Sequence, residues 1–522
     1  MVSAFQIGLI LAVSLGSLTY GYCSSIISTT LGQPSFLSYM GLDTASNATQ
    51  LEGATNALFQ VGGLFGSISS LWIPDKIGRR WALFIGGTFS LVGGALQTGS
   101  VDIAMFIVAR FITGIGVGAL VGLVPLYQSE VSPTNLRGFL VGLHGVMICV
   151  GYTSASWIGV GFYFVHGGNQ WRGPLGFQMC WPLGLMIALP FVPESPRWLL
   201  AKGRKDDAFK AFRTVHDSGV KVKDGQHEIA VREEFRLLAA QTAQEMKDDV
   251  PLSAFFTRPN LFKRCVIGFG VMFAAQGTFT LVINNYGPIL YKGLGFGTVD
   301  QLLIQAGWIS VCPGGNVINA LIVDKIGRTR LLMFGFAGTV TALVGACATV
   351  VVYNNHGQSR SVAAAAVFFL FWHIACFCVS VDATSYIYAS ELFPTPLRAR
   401  GIGISISGLF IATIIFLQAA PTAFAHINGY YYLVGTFVTI FFFFIAWFYW
   451  PETKGRSLED IAEIFGDNIT LDDAEEEAIH KRFREGHYQE KAIAQAAGEI
   501  RHHTESDSPI ETNDVSMEVK SL

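Results

Sequence analysis

The sequence predicts an all-α membrane protein of twelve transmembrane helices, arranged as two six-helix halves with a cytoplasmic helical linker. Three observations predict it. The chain has 522 residues, 51% hydrophobic and only 14% charged, which is more apolar surface than one soluble core buries. Apolar windows of spanning length recur twelve times; at roughly 20 residues each they need about 240 positions, and 51% of 522 supplies about 266. Three charged motifs of the first half return in the second.

Taken in order, the first window covers 5–30. It runs through Gly21-Tyr22-Cys23 without a small-residue cleavage site, so it reads as a retained helix and not as a removed signal peptide. Windows at 53–73, 81–99, 103–126, 138–162 and 174–192 complete a half over 1–192. Residues 193–263 interleave acids and bases, as in KGRKDDAFKAFR and VREEFRLLAAQ, the composition of amphipathic helices in water. Windows at 264–291, 301–323, 331–353, 362–389, 401–420 and 430–450 make the second half, 264–450. Residues 451–522 form a cytoplasmic tail whose polar end cannot offset its own ordering entropy, so it is expected to be partly disordered.

Lysine and arginine set the orientation. Lys76, Arg79, Arg80, Arg137, Lys325, Arg328, Arg330, Arg398 and Arg400 lie in or beside loops on one side, against Arg172, Lys292 and Arg360 on the other. The positive-inside rule then places both termini in the cytoplasm. Asn47, in Asn47-Ala48-Thr49, falls in the first outside loop as a glycosylation candidate. A formal net charge of -3 excludes a generally basic nucleic-acid binder. The eight cysteines, Cys23, Cys149, Cys180, Cys265, Cys312, Cys347, Cys376 and Cys378, all sit in apolar segments, so neither a disulfide frame nor a metal cluster is expected, and no cofactor. No nucleophile elbow or phosphate-cradling loop suggests an enzyme. The run Gly114-Ile-Gly116-Val-Gly118 lies in an apolar span, where small residues serve close packing.

The repeat is the strongest internal signal. Asp75-Lys-Ile-Gly-Arg79-Arg80 returns as Asp324-Lys-Ile-Gly-Arg328-Thr-Arg330; Tyr127-x-Ser-Glu130-x-x-Pro133-Thr-x-Leu-Arg137 returns as Tyr388-x-Ser-Glu391-x-x-Pro394-Thr-x-Leu-Arg398; Pro193-Glu194-Ser-Pro-Arg197 returns as Pro451-Glu452-Thr-Lys-Gly-Arg456. Duplication of a six-helix unit explains all three, and parallel repeats belong to carriers whose halves rock about a central site. Each motif combines carboxylates with arginines where a span meets the cytoplasm. Asp75, Arg79, Arg80, Glu130, Arg137, Glu194, Arg197, Asp324, Arg328, Glu391, Arg398 and Glu452 are therefore expected to form a cytoplasmic gate that latches the two halves together in one state. The alternative is that these charges only anchor helix ends.

These motifs, with Arg110-Phe-Ile-Thr-Gly-Ile-Gly-Val-Gly118, QWRGPLGFQ over 170–178 and PETKGRSLED over 451–460, resemble the sugar porter family of the major facilitator superfamily, in wording similar to fungal members, across roughly residues 10–465. The opening glycine of the two DK loops is replaced by Leu71 and Ala320. The resemblance implies alternating-access movement of a sugar-like solute through the plasma membrane, with the bilayer, the solute and, in symporters, protons as partners. It also implies a substrate site on spans five, seven, eight and ten, here thinned: Gly145 after His144 stands at the usual glutamine, Gln276 alone survives of the seventh-span pair, Asn285 replaces a tyrosine before Tyr286, and Tyr386 replaces a tryptophan. Gln276, Asn285, Tyr286, Tyr386 and His144 are the substrate-binding candidates. For Asn285 and Tyr286 the alternative is mutual packing between helices, and for His144 a hydrogen-bonded core position. Cys23 stands where proton-coupled relatives carry an aspartate opposite Arg110, which leaves Arg110 and the intramembrane Asp382 as proton-coupling candidates. Asp382 also reads as a structural carboxylate capping a local irregularity. The function expected is a solute carrier by facilitated diffusion or proton symport; a nutrient receptor signalling through its tail is the alternative.

Overall fold

The computed structural model describes residues 4–131, 137–165, 169–216, part of 231–246, 250–355, 358–394, 397–456 and 458–466. One compact unit extends to Phe465; a second, Gly466–Leu522, lies outside the described residues beyond Gly466. Helices appear at each of the twelve windows, and no strand occurs among the described residues. The first five spans are Ala4–Leu31, Ala48–Ser69, Arg79–Thr98, Ile103–Val131 and Arg137–Tyr163. The sixth is built from Asn169–Phe177 and Cys180–Ala188. The seventh divides into Pro259–Gly277 and Thr280–Gly293, the eighth is Thr298–Ile326 and the ninth Arg328–Asn355. The tenth divides into Arg360–Ser380 and Asp382–Glu391, followed by Arg398–Ile427 and Tyr431–Tyr449.

Nine described segments are long and apolar enough to cross a membrane by composition alone, one of them, Arg398–Tyr449, holding two of the twelve spans. The spans that fall short are Ala48–Ser69, which carries the amides Asn56 and Gln60 besides its glycines, and Arg79–Thr98, which ends on Gln97 and Thr98. A Cβ on Gly62 or Gly66 would enter the carbonyl oxygens of Phe111 or Ile115, and one on Gly114 or Gly118 those of Phe59 or Gly63. These glycines let the backbones of the second and fourth spans touch.

Short helices follow the sixth span. Pro196–Ala201 begins at Ser195, whose Oγ accepts from Trp198 N at 3.3 Å, an N-cap. Lys205–His216 buries Ala208, Phe212 and Val215 on one face. The compact unit continues past Pro451, because Ile461 and Phe465 are buried and the buried Arg264 guanidinium lies 4.4 Å over the Phe465 ring.

The halves touch along matched seams. The Phe410 ring packs against Gly63 and the Leu71 side chain against Gly403, joining the second span to the eleventh. Trp157 Nε1 donates to Ser310 Oγ at 3.0 Å, joining the fifth to the eighth.

Candidate solute cavity and charged loop clusters

Two spans break beside one cavity. In the seventh, Phe279 takes a left-handed conformation, φ 68°, unusual for a bulky residue. Its ring pays for that strain by complete burial against Tyr431, centroids 4.8 Å apart, and Phe416. The break frees the Thr278 carbonyl, which lies 2.7 Å from His373 Nε2. In the tenth, the helix interrupts at Val381 and restarts with Asp382 in its first turn, where the helix dipole favours a carboxylate. Broken helices at membrane depth persist where they line a polar cavity.

That cavity, about 40 Å³ in volume, is lined by both halves: Tyr20, Ile148 and Tyr152 from the first, and Gln276, Asn284, Cys312, Asn316, Asp382 and Tyr386 among those from the second. It is nearly closed in this conformation, and admitting a sugar-sized solute requires its walls to part. Gln276 Oε1 is buried without a hydrogen-bond partner, an acceptor available to a solute hydroxyl. Asp382 Oδ2 accepts from Asn316 Nδ2 at 2.8 Å and lies 3.7 Å from Cys149 Sγ and 4.0 Å from Cys312 Sγ.

Of the five substrate candidates, Gln276 and Tyr386 are in the wall. Asn285 instead donates to Asn56 Oδ1 at 3.4 Å, and Tyr286 to the Leu417 carbonyl at 2.9 Å, so both pack between helices. His144 pairs with Ser17 Oγ at 2.8 Å and meets the Tyr386 ring edge-on, centroids 6.4 Å apart, behind the cavity. Sequence reasoning missed Tyr20, Tyr152, Asn284 and Asn316. Asn316 carried a usable signal, an amide inside an apolar span, the same one that marked Gln276. Three cysteines far apart in sequence converge, with Cys149 Sγ 3.6 Å and Cys378 Sγ 2.9 Å from Cys312 Sγ. Arg110 is fully buried, donates to the Cys23 carbonyl at 2.8 Å and lies 4.0 Å over the Phe59 ring, with no carboxylate partner among the described residues.

The charged motifs fold into two clusters with matching partners. In the first, Arg79 is bidentate to Glu130 (Nη2–Oε1 2.9 Å, Nε–Oε2 3.0 Å) and pairs with Asp75 at 3.0 Å. Glu194 accepts from the backbone N of Arg79 at 2.9 Å and of Arg80 at 3.2 Å, and Tyr127 donates to the Pro193 carbonyl. In the second, Arg328 pairs with Glu391 at 2.7 Å and Asp324 at 2.9 Å, Glu452 accepts from the backbone N of Arg328 at 2.8 Å, and Tyr388 donates to the Pro451 carbonyl. Gly78 and Gly327 (φ 97° and 106°) make room for the glutamates; a Cβ on Gly327 would sit 2.6 Å from Glu452 Oε2. Within each cluster these carboxylates are satisfied inside their own half. Between halves, Arg400 Nη2 reaches Asp75 Oδ2 at 4.0 Å, with Asp75 half exposed. Arg197 and Arg398 are partnered as well; the Arg137 side chain lies outside the described residues. Asn47 is exposed just before Ala48–Ser69.

Comparison with known proteins follows the same lines. The model of the sugar (and other) transporter family matches residues 9–465. The MFS-type transporter criB of Aspergillus cristatus is 31% identical over 473 residues, covering 89% of this chain and 95% of that one. The low-affinity glucose transporter HXT1 of Saccharomyces cerevisiae is 27% identical over 471 residues, with 88% and 81% covered. Among solved structures, the inward-open xylose transporter XylE from E. coli matches with a TM-score of 0.71 at 21% identity, covering 88% of this chain and 99% of that one. XylE bound to 6-bromo-6-deoxy-D-glucose matches at 0.72 and 22%, covering 88% and 99%.

Proposed function

This chain belongs to the sugar (and other) transporter family, and from that premise we propose that its solute is a sugar-like polyol carried by facilitated diffusion across the plasma membrane, with both termini cytoplasmic. As a family member it is an integral membrane transporter of the major facilitator superfamily and not an enzyme. One observation carries the solute reading: the cavity is walled by both halves, so rocking them past each other exposes its contents to either side. Gln276, Asn284 and Asn316 supply amides to hydroxyls, and Tyr20, Tyr152 and Tyr386 supply ring faces to C–H surfaces. Gln276 is the donor and acceptor best placed to read the solute. Asn285, Tyr286 and His144 act from behind the wall by fixing it. The two loop clusters brace the halves, and Asn47 is the glycan acceptor. Cys23 beside Arg110 leaves the first half without a carboxylate to carry a proton there, which favours a gradient-independent carrier.

Expression in cells lacking their own sugar carriers tests this, with a panel of hexoses, pentoses, disaccharides, polyols and sugar acids. Saturable uptake of one class that persists with a protonophore is the expected result. Uptake abolished by the protonophore would refute facilitated diffusion in favour of symport. Binding without uptake by protein shown to reach the surface would refute the carrier.

A further inference from the structure

The thiols beside the cavity have a geometry that sugar recognition does not use. Cys149 Sγ lies 3.6 Å from Cys312 Sγ, and Asp382 Oδ2 lies 3.7 Å and 4.0 Å from the two sulfurs. A tetrahedral zinc-like ion with metal–sulfur bonds near 2.3 Å holds its ligand atoms about 3.8 Å apart. The three atoms thus form one face of such a tetrahedron. Cys312 and Asp382 line the cavity, which gives an entry path and leaves the fourth position open to a water.

Asn316 sits where the ion's charge would be needed. Its Nδ2 is 2.9 Å from Cys149 Sγ and 2.8 Å from Asp382 Oδ2, while its Oδ1 is buried with no partner. The amide hydrogens bridge the same two ligands that a cation would bridge, and turning the amide over would offer Oδ1 to the ion. Cys149 belongs to the fifth span and Cys312, Asn316 and Asp382 to the eighth and tenth, so the site straddles the two halves.

We propose that Cys149, Cys312 and Asp382 form a binding site for a thiophilic divalent cation of the zinc and cadmium class, and that the bound ion ties the two halves together and arrests transport. On binding, two S–H bonds break, two metal–sulfur bonds form and two protons leave to solvent; no atom changes oxidation state. Hard cations such as calcium, which take six to eight oxygens, do not fit this donor set.

Purified full-length protein with a phosphine reductant is titrated with Cd²⁺, and with Ca²⁺ as control. The expected result is one tight Cd²⁺ equivalent with a sulfur-to-cadmium ultraviolet absorption band and proton release. Binding weakens about 100-fold or more in Cys149→Ser and in Cys312→Ser, and is unchanged in Cys23→Ser and Cys347→Ser. On the wild type itself, the intensity of the sulfur-to-cadmium band corresponds to two sulfur ligands per bound ion and the band disappears with excess chelator, which keeps the test decisive if a serine variant fails to fold. An equal band in both variants, or bound wild-type cadmium without a sulfur band, would overturn the site. In proteoliposomes Cd²⁺ arrests uptake by the wild type and spares Cys149→Ser; this arm alone rests on the transport reading. Tight binding with uptake unaffected overturns the tie between halves.

Discussion

Replacing Gly327 by alanine isolates what the second loop cluster contributes. Gly327 has φ 106° and ψ 156°, a region open essentially to glycine, and occupying it with alanine costs about 1–3 kcal/mol. The new Cβ would sit 2.6 Å from Glu452 Oε2, so the carboxylate has to move. It now accepts from the backbone N of Arg328, Thr453 and Lys454 at 2.8, 3.0 and 3.1 Å. Losing even one such charge-assisted bond adds about 1.5–3 kcal/mol, for a total of about 2.5–6 kcal/mol. Gly455→Ala is the control: φ is 67° there, and nothing lies within 4 Å of the added Cβ, so only the left-handed penalty of about 1–2 kcal/mol applies. Melting midpoints in detergent should fall for Gly327→Ala by about twice the Gly455→Ala shift or more, and Gly327→Ala should cost much less in a Glu452→Ala background, where the carboxylate is already absent. Equal shifts for the two glycines, or strictly additive behaviour of the pair, would refute the claim that Gly327 exists to admit Glu452.

Other outcomes follow from the same geometry. Gln276→Ala removes the unpartnered acceptor in the cavity and should raise the uptake KM about 10-fold with little change in surface level; an unchanged KM would remove Gln276 from the site. Cys23→Asp places a carboxylate beside Arg110, whose Nη1 is 2.8 Å from the Cys23 carbonyl, and uptake by this variant should become sensitive to a protonophore; continued insensitivity would separate this pair from coupling. Gly118→Val drives a side chain into the Gly63 backbone, and folded protein should be lost from the membrane fraction, whereas Gly161→Val, with open space around it, should be tolerated.

Much of the fold was legible because spanning a bilayer forces a long apolar run whatever the tertiary contacts. Ala48–Ser69 was found at 53–73 by its apolar window, although Asn56 and Gln60 make it one of the less apolar spans. The cavity was half legible. Gln276 and Asp382 announce themselves as polar groups in apolar spans, but nothing local says whether Asn285 or its neighbour Asn284 faces inward; the turn at Phe279 sets that phase. The thiol cluster was illegible because Cys149, Cys312 and Cys378 owe their meeting to packing between three spans. The charged motifs told which residues meet, and the latch between halves was the expectation drawn from them.

The glutamates of each cluster are held within their own half, and this bears on what joins the two halves. With Glu194 and Glu452 committed to their own helix starts, contact between halves rests on surfaces such as Phe410 on Gly63 and Leu71 on Gly403, plus the loose, half-exposed Arg400–Asp75 pair. Dispersion and apolar contact have no preferred direction and decay within an ångström or so. Seams held that way give in small increments, with only scattered polar bonds such as Trp157–Ser310 to break. Their opening rate should depend weakly on ionic strength, through the Arg400–Asp75 pair, and respond more to the lateral pressure and fluidity of the surrounding lipid.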